Sequence, residues 1–306
     1  MKRIACLVLI CVLLAGCAGT APQMQRTVYA MNTVMDLQIW GKDANEAMGA
    51  VIGLIQDLEG KWSVTLGTAW SGKVDEDPLI KKALELQQRT QGSFSPRLRQ
   101  VSQLWGFYNE AYRQEDFTIP SQAQITKALA QPQWDLGGIL KGYAGEEAVQ
   151  LLEQMQVSCA LLNLGGNIQT YGTKPDGSPW QVAVQNPWGG EYLGILSIEG
   201  TMAAVTSGDY QRWYEKDGVR YHHIMDPATG MPADSGLRSV TVISKSGTAA
   251  DALSTGLFVM GLEKAVQLWR TSGDFEAVFV CRDGSVFATQ GVKLSGCTYE
   301  VIYNEN

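Results

Sequence analysis

The sequence contains little histidine and has no excess of positive charge. Its two histidines, His222 and His223, are too few for a zinc centre built on imidazoles, and its six cysteines include no Cys-x-x-Cys pair of the kind that binds structural zinc. Acidic residues outnumber basic residues by 31 to 24, which gives a formal net charge of −7. This balance disfavours nucleic acid as a partner. The hydrophobic content of 45% over 306 residues is sufficient for a substantial core.

Long apolar runs are scarce, and the one at the N-terminus is too short to cross a bilayer comfortably. It covers residues 4–14, follows two basic residues, and leads into Leu14-Ala15-Gly16-Cys17, which resembles a bacterial lipobox. We therefore expect residues 1–16 to be a signal peptide. Lipidated Cys17 and a tether over residues 17–26 would then hold the protein on the extracytoplasmic face of the bacterial cell membrane. Ordinary signal cleavage and an uncleaved anchor remain open.

Three cysteines, Cys159, Cys281 and Cys297, lie beyond this segment. An oxidising compartment would allow one disulfide among them, and Cys281 with Cys297 is the better pair. Buried free cysteines are common as well, so the sequence leaves both alternatives open.

Neither an internal repeat nor an internal linker divides the remainder, 27–306. Period-two alternation and short apolar runs predict strands, and apolar residues at helical spacing predict helices. The predicted strands are 35–39, 159–164, 180–184, 240–243 and 276–281, and the predicted helices are 47–58, 79–89, 144–155, 249–260 and 262–270. This interleaving indicates one large α+β domain with a mixed, largely antiparallel sheet.

A carboxylate and a hydroxyl lie four residues apart at Asp251 and Thr255. On a helix this spacing places both on one face. Hard oxygen ligands of this kind suit Mg²⁺, which retains water and phosphate oxygens and therefore needs few protein ligands. A structural alternative also fits, because Thr248 followed by Asp251 matches a helix capping box. The spacing leaves both open.

Three glycines and a lysine precede a predicted helix in Asp-Leu-Gly-Gly-Ile-Leu-Lys-Gly, residues 135–142. Backbone N–H groups in such a segment, with the positive end of the helix dipole, can approach a pyrophosphate. The spacing matches neither the Walker A motif nor G-x-G-x-x-G, and an ordinary turn is the alternative.

The two histidines are adjacent, so on an extended segment they point to opposite faces and only one can reach a given site. A packed, hydrogen-bonded histidine is the alternative to a functional one. Residues 206–210, Thr-Ser-Gly-Asp-Tyr, could supply hydroxyl and backbone donors to a phosphate.

These segments, with Asn-Leu-Gly-Gly-Asn at residues 163–167, closely resemble the ApbE family of FAD:protein FMN transferases. The resemblance implies that FAD is the substrate and that its FMN half is transferred to a serine or threonine hydroxyl of an acceptor protein, with release of AMP. It also implies Mg²⁺ held by Asp251, Thr255 and the carbonyl of Gly138, with Ser254 as a weaker ligand candidate. His223 is the implied catalytic residue, for proton transfer or for leaving-group charge.

The resemblance further assigns residues to the flavin nucleotide. The implied contacts are Met31, Thr65, Ser93, Phe94, Ser95, Asp135, Lys141, Ser207 and Ile224. Thr65 stands where many relatives carry a tyrosine, so Trp62 or Trp70 would have to stack in its place. Leu140 replaces the usual alanine, and Ser95 replaces an acidic residue.

The implied acceptors are subunits of membrane redox complexes or related extracytoplasmic flavoproteins. Two other functions remain open for this sequence. One is hydrolysis of FAD to FMN and AMP, with water in place of the acceptor hydroxyl. The other is a flavin-binding or solute-binding lipoprotein without chemistry.

Overall fold

The computed structural model describes residues 24–62, 77–107 and 114–304. Cys17, Thr65 and Trp70 lie outside these residues, as do the expected signal peptide and most of the expected tether. In the three described stretches, no helix is both long and apolar enough to pass through a bilayer.

The helices are α1 (Ala44–Trp62), α2 (Pro78–Arg89), α3 (Arg99–Leu104), α4 (Gln122–Leu129), α5 (Leu140–Glu153), α6 (Gly247–Met260) and α7 (Leu262–Ser272). A short 3₁₀ turn covers Gln114–Asp116. The strands are β1 (Met24–Ala30), β2 (Thr33–Gly41), β3 (Val157–Leu164), β4 (Asn167–Tyr171), β5 (Trp180–Gln185), β6 (Tyr192–Ile198), β7 (Ala203–Gly208), β8 (Trp213–Lys216), β9 (Val219–His222), β10 (Leu237–Ser244), β11 (Phe275–Cys281), β12 (Val286–Thr289), β13 (Leu294–Ser295) and β14 (Glu300–Ile302).

The described strands form one large sheet and two small ones. The large sheet has the order β1-β2-β3-β4-β7-β10-β11-β12-β14, and its pairs are antiparallel except for the parallel pair of β12 with β14. A smaller sheet has the order β13-β6-β5, and β8 pairs with β9 as a hairpin. The prediction of a mixed, largely antiparallel α+β fold is therefore confirmed.

The large sheet lies between two other layers. Helices α1, α5 and α6 pack on one face, where alternate strand residues and the apolar sides of the helices form two adjoining cores. The β5-β6-β13 sheet covers the opposite face through a third core. This arrangement buries both faces of the central strands, which explains why β3 is a nearly continuous buried run from Val157 to Leu164.

A fourth, smaller core lies to one side of these layers. Trp105, Phe117 and Met225 are buried in it, together with residues of α3 and α4. The β8–β9 hairpin packs over this core through Tyr214 and Tyr221. The two aromatic residues fix the position of the hairpin, which ends at His222 and is followed by His223.

The predicted elements all occur, and several are longer than predicted. Helix α5 begins at Leu140 rather than at 144, because Gly142 lies inside the helix instead of ending a loop before it. Strand β1 begins at Met24, so residues 24–26, expected in the tether, belong to the sheet. Cys159, Cys281 and Cys297 are all free thiols, and the Cys281–Cys297 disulfide is not formed.

Candidate functional site

The candidate residues converge at one end of the large sheet. The β1–β2 turn, the β3–β4 turn and the end of β7 all lie at this end, as their strand registers show. The two turns touch each other, because a Cβ atom added at Gly165 would lie 2.8 Å from the Cβ of Thr33. Helices α5 and α6 cover the same end of the sheet. Residues distant in the sequence are thereby brought into one place.

The β1–β2 turn is tightly held. Met31 and Asn32 have φ values of 49° and 58°, the left-handed pair of a two-residue hairpin turn. A methionine in this conformation is unfavourable, and Glu59 of α1 compensates by accepting a 2.6 Å hydrogen bond from the Met31 amide. Glu59 was not recognised from the sequence, where it lies just beyond the predicted helix 47–58.

Helices α5 and α6 cross at two glycines. A Cβ atom on Gly142 would overlap the carbonyl oxygen of Gly247 and lie 2.6 Å from the Cβ of Asp251. A Cβ atom on Gly247 would lie 2.6 Å from the carbonyl oxygen of Gly142. The close approach lets the Gly142 amide donate a 2.8 Å hydrogen bond to Oδ2 of Asp251. The start of α5 therefore fixes the orientation of the Asp251 carboxylate.

The capping box at Thr248, one of the two alternatives that the spacing left open, is not formed. Helix α6 begins at Gly247, and its N-cap is Ser246, whose hydroxyl accepts from the Ala249 amide. Glu146 of α5 also accepts from the Ser246 hydroxyl at 2.7 Å and from the Thr248 amide at 3.0 Å. Ser246 and Glu146 of α5 together thus bind the amides at the start of α6, which leaves Asp251 available for a different role.

Three hydroxyl groups form a chain beside Asp251. Ser254 donates to the main-chain carbonyl of Asp251 at 2.8 Å, so its proton is committed. Ser207 of β7 lies 2.9 Å from the Ser254 oxygen and must donate to it, which commits the proton of Ser207 as well. Thr255, 3.1 Å from Ser207, must then donate to Ser207. The lone pairs of Thr255 Oγ1 consequently remain for another partner.

These atoms form a set of oxygen donors that fits Mg²⁺. Asp251 has Oδ1 remaining after Gly142 has bound Oδ2, and Thr255 presents oxygen lone pairs. Gly138 lies beside them, since its added Cβ would be 3.6 Å from Thr255 Oγ1. No group of three or more His, Cys, Asp or Glu side chains suited to a metal occurs in the described parts of the chain. A cation here would need carbonyl, water or phosphate oxygens, as Mg²⁺ commonly does.

Ser254 is placed behind this set. Its side chain is fully buried, and its hydroxyl bonds both to Asp251 and to Ser207. It therefore orients Thr255 through Ser207.

The glycine-rich segment is organised differently from the phosphate cradle that its composition suggested. The amide of Gly137 donates to Oδ1 of Asp135 at 3.1 Å, and Ser102 donates to Oδ2 at 3.2 Å. Asp135 is buried and holds the loop together. The amides of Gly137 and Gly142 are thus bound to carboxylates, and the lack of a side chain at Gly142 permits the close approach of α5 and α6.

Phe94 supports the same loop. It is buried, and its ring would lie 3.4 Å from a Cβ at Gly138. Its amide donates to Thr90 Oγ1 at 3.1 Å, and its neighbours Ser93 and Ser95 are half-buried. Trp62 is also buried, at the end of α1, so it offers no exposed face on which a nucleotide base could stack.

His223 and Lys141 bring two functional groups to the site. Lys141 lies half-buried in the first turn of α5. Burial lowers the pKa of His223 well below its ordinary value, and the positive charges of Arg212 and Lys141 lower it further. The Nδ1 atom of His223 lies 3.3 Å from the carbonyl oxygen of Arg212, which can only accept, so Nδ1 carries the proton. The lone pair is therefore on Nε2.

His222 uses both of its ring nitrogens in hydrogen bonds to the backbone. It is 2% exposed, its Nε2 donates to the carbonyl of Ala233 at 3.0 Å, and its Nδ1 accepts from the amide of Ile224 at 3.3 Å. Burial lowers the pKa of His222 to about 4. His222 is the packed histidine, and Ile224, also buried, supports the turn that presents His223.

The comparisons with known proteins agree with this architecture. The ApbE family model matches residues 31–279. The FAD:protein FMN transferase of Treponema pallidum is 31% identical over 336 residues and covers 93% of each chain. That of Escherichia coli K12 is 33% identical and covers 69% of this chain and 66% of its own. The chain belongs to the ApbE family.

Solved structures give the same result for the fold. The ApbE protein of Thermotoga maritima superposes with a TM-score of 0.74 at 29% identity, and covers 86% of this chain and 96% of its own. The flavinyl transferase ApbE of Pseudomonas stutzeri, in its apo form, gives 0.71 at 27% identity over 90% and 94% of the two chains.

Proposed function

We propose that this protein transfers the FMN half of FAD to a serine or threonine hydroxyl of an acceptor protein and releases AMP, with Mg²⁺ as cofactor. Membership of the ApbE family supports the transfer, and the hydroxyl chain that leaves the lone pairs of Thr255 next to Asp251 supports the cation. The hydroxyl chain is the observation that carries the proposed cation site, because family membership and fold do not by themselves require a cation.

Asp251, Thr255 and the carbonyl of Gly138 would hold the cation. When bound, Mg²⁺ neutralises the charge that develops on phosphate oxygens as a P–O bond breaks. The hydrogen bond from the Gly142 amide holds the Asp251 carboxylate in the orientation that presents Oδ1 to the cation. The half-buried ammonium of Lys141 would stabilise the phosphate oxygens.

His223 acts on the acceptor hydroxyl. The acceptor oxygen attacks the phosphorus of the FMN half, the bond to the AMP phosphate breaks, and AMP leaves with the bridging oxygen. The hydroxyl proton passes to Nε2 of His223, whose lone pair is fixed by the hydrogen bond from Nδ1 to Arg212. The lowered pKa keeps this nitrogen unprotonated at neutral pH.

We also propose that Cys17 is lipidated and that residues 17–23, which precede β1, tether the enzyme to the extracytoplasmic face of the bacterial membrane. The lipobox-like sequence supports this location. Acceptors on the same face, such as subunits of membrane redox complexes or related flavoproteins, are then within reach.

The test is incubation with FAD and Mg²⁺, with and without a co-purified candidate acceptor. Transfer predicts AMP release together with an added FMN on the acceptor, detected by mass spectrometry after denaturation. AMP release without acceptor modification would indicate hydrolysis, and intact FAD would indicate a binding protein. Treatment with a chelator before FAD is added should abolish AMP release.

A further inference from the structure

One polar side chain at the start of β4 is buried on the helix side of the large sheet. Asn167 is 3% exposed. The next residue, Ile168, belongs to the core on the opposite face of the sheet. The residue after that, Gln169, faces α5, because a Cβ atom added at Gly145 would lie 3.2 Å from the Cβ of Gln169. Since successive strand residues alternate between the two faces, Asn167 also faces the helices.

The neighbours of Asn167 across the sheet are apolar. Asn167 pairs with Val205 of β7, Val205 pairs with Val242 of β10, and Val242 pairs with Ala277 of β11. These three apolar residues are buried in the core under the helices. The Nδ2 atom of Asn167 is also buried, and no hydrogen-bond partner for it occurs in the described residues. Such a donor is unfavourable for folding, and departures of this kind concentrate at functional sites.

Asn167 lies at the level of Lys141 and Asp251. Gln169 marks the level one step further from the site, since it contacts the α5 glycine named above and its Oε1 lies 2.8 Å from a Cβ added at Gly247 of α6. Helix α5 runs away from the site end and α6 runs towards it. One turn towards the site, about 6 Å along each helix, leads to Lys141 on α5 and Asp251 on α6. Two strand residues in the same direction, about 7 Å, lead from Gln169 to Asn167.

The neighbouring amide determines which atom of Asn167 faces the site. The Nε2 atom of Gln169 donates to the carbonyls of Thr170 and Met202 at 3.0 Å and 3.1 Å, so its Oε1 remains as an acceptor. This Oε1 is buried and has no partner among the residues that the structure describes. The donor Nδ2 is the atom of Asn167 that complements it. The Oδ1 atom of Asn167 is consequently directed towards the site end of the sheet.

An acceptor at this place complements the proposed cation. Mg²⁺ retains several water ligands when it is bound by few protein oxygens, and the cation makes these waters strong hydrogen-bond donors. We propose that Asn167 is a positioning residue whose Oδ1 accepts a hydrogen bond from a water ligand of the cation held by Asp251 and Thr255. This role rests on the cation site of the proposed function. Partners of this kind commonly change metal affinity by about 10- to 100-fold.

Binding of Mn²⁺ to the purified protein without FAD tests this role. Mn²⁺ takes the same oxygen ligands as Mg²⁺, and the EPR signal of the free ion reports its binding. Asn167→Leu removes the acceptor and should weaken Mn²⁺ binding by about tenfold or more. Asn167→Asp keeps an acceptor in the same place and adds a negative charge, so it should bind Mn²⁺ more tightly than the wild type. Unchanged binding in Asn167→Leu, or binding at or below the wild-type level in Asn167→Asp, overturns the proposal.

Two further measurements distinguish this role from others. The thermal unfolding temperature of Asn167→Leu should be unchanged or higher, because leucine matches the apolar row and removes an unpartnered donor. A large decrease would make Asn167 a structural residue and overturn the proposal. FAD affinity, measured by flavin fluorescence with a chelator present, should be unchanged in both variants. If both variants bound FAD more weakly, Nδ2 would be a donor to the substrate, which also overturns the proposal.

Asn163→Asp is the matched control for charge. Asn163 of β3 is 4% exposed and pairs with Ile168, so it faces the opposite side of the sheet from Asn167. Its Oδ1 accepts from the Gly166 amide at 2.8 Å, which an aspartate can also do. We expect Mn²⁺ binding to be unchanged in this variant. An increase equal to that of Asn167→Asp would show a general effect of charge and overturn the proposal, and this pair carries the test if Asn167→Leu does not fold.

The proposed transfer function can fail separately. Mg²⁺-dependent AMP release by the wild type, with Mn²⁺ binding unaltered in Asn167→Leu, contradicts the role of Asn167 alone. The expected changes in Mn²⁺ binding, in a protein that releases no AMP from FAD, support the role of Asn167 and contradict the transfer function. A wild-type protein that binds no Mn²⁺ contradicts the cation site and the role of Asn167 together.

Discussion

The two ends of the candidate site are built in different ways. The Asp251 end lies between α5 and α6, where glycines bring the helices together, the Gly142 amide orients Asp251, and a hydrogen bond with Ser207 orients Thr255. The His223 end lies beside the β8–β9 hairpin. There the carbonyl of Arg212 orients the imidazole, and strand β8, which follows Arg212, is largely exposed. In the proposed function, charge stabilisation would thus come from the packed helices, and the proton acceptor for the incoming hydroxyl would come from beside the hairpin.

Aromatic packing is what holds the His223 end in position. Phe117 stacks with Tyr214 at 4.7 Å and with Trp105 at 6.3 Å, and Phe107 contacts both Tyr214 and the His223 ring. These ring distances are typical of aromatic pairs, so packing rather than a hydrogen-bond network fixes the side of the hairpin that faces His223.

The largest effect is expected from Asp251→Asn. The amide oxygen of asparagine can still accept from Gly142, so the fold is retained, but the charge that holds the cation is lost. We expect turnover to fall by about 10³-fold or more. AMP release measures the loss, and thermal unfolding in the absence of Mg²⁺ should be nearly unchanged. Wild-type activity in this variant would contradict the metal assignment.

His223→Ala is expected to lower turnover by about 10²-fold through loss of the proton acceptor, with FAD affinity retained. The wild-type rate should stay level as pH falls from 7 through 6.5, because the lowered pKa keeps Nε2 unprotonated, and should decline only at lower pH. Arg212→Ala removes a positive charge that lowers this pKa, so its acid decline should move to higher pH. Equal losses of turnover and FAD affinity in His223→Ala would indicate a structural histidine.

The sequence predicted the helix that carries Asp251 and Thr255, and most other elements, because apolar periodicity and short-range spacing determine them. It could not predict which residues support those two. Ser207 is distant in sequence from Thr255, and Glu146 caps a helix that begins a hundred residues later. Such contacts depend on strand order and on helix crossing, which no local pattern specifies. The role of Gly142 also depends on helix crossing. The glycine-rich composition of residues 135–142 suggested a phosphate contact, but the position of Gly142 between α5 and α6 requires close packing.

The variants Gly142→Ala and Gly138→Ala compare a glycine that has no room for a side chain with one that has room for a methyl group. The added methyl at Gly142 would overlap Gly247 and Asp251, whereas at Gly138 it meets Phe94 and Thr255 at normal contact distances of 3.4 Å and 3.6 Å. We expect Gly142→Ala to lower the free energy of unfolding by about 2 kcal/mol or more, and Gly138→Ala by less than about 1 kcal/mol. Urea unfolding measures both. A loss at Gly142 as small as that expected at Gly138 would mean that α5 and α6 can move apart at little cost.

The smallest effect is expected from Ser207→Ala, which removes the middle of the hydroxyl chain. Thr255 then loses the acceptor that directs its proton away from the cation, so its lone pairs are no longer held in place. The Mg²⁺ concentration needed for half-maximal activity should rise by about three- to tenfold, with a loss of roughly 1 kcal/mol in unfolding free energy.

Thr206→Val is the matched control, since it removes a hydroxyl 2.8 Å from Thr241 one residue earlier on the same strand. Successive residues of a strand face opposite sides, so this hydroxyl lies away from α6. A similar loss of stability with an unchanged Mg²⁺ requirement is expected for Thr206→Val. If both variants changed the Mg²⁺ requirement equally, the hydroxyl chain would be a general stabiliser of β7, and the core end of the site would have to position its cation through Asp251 alone.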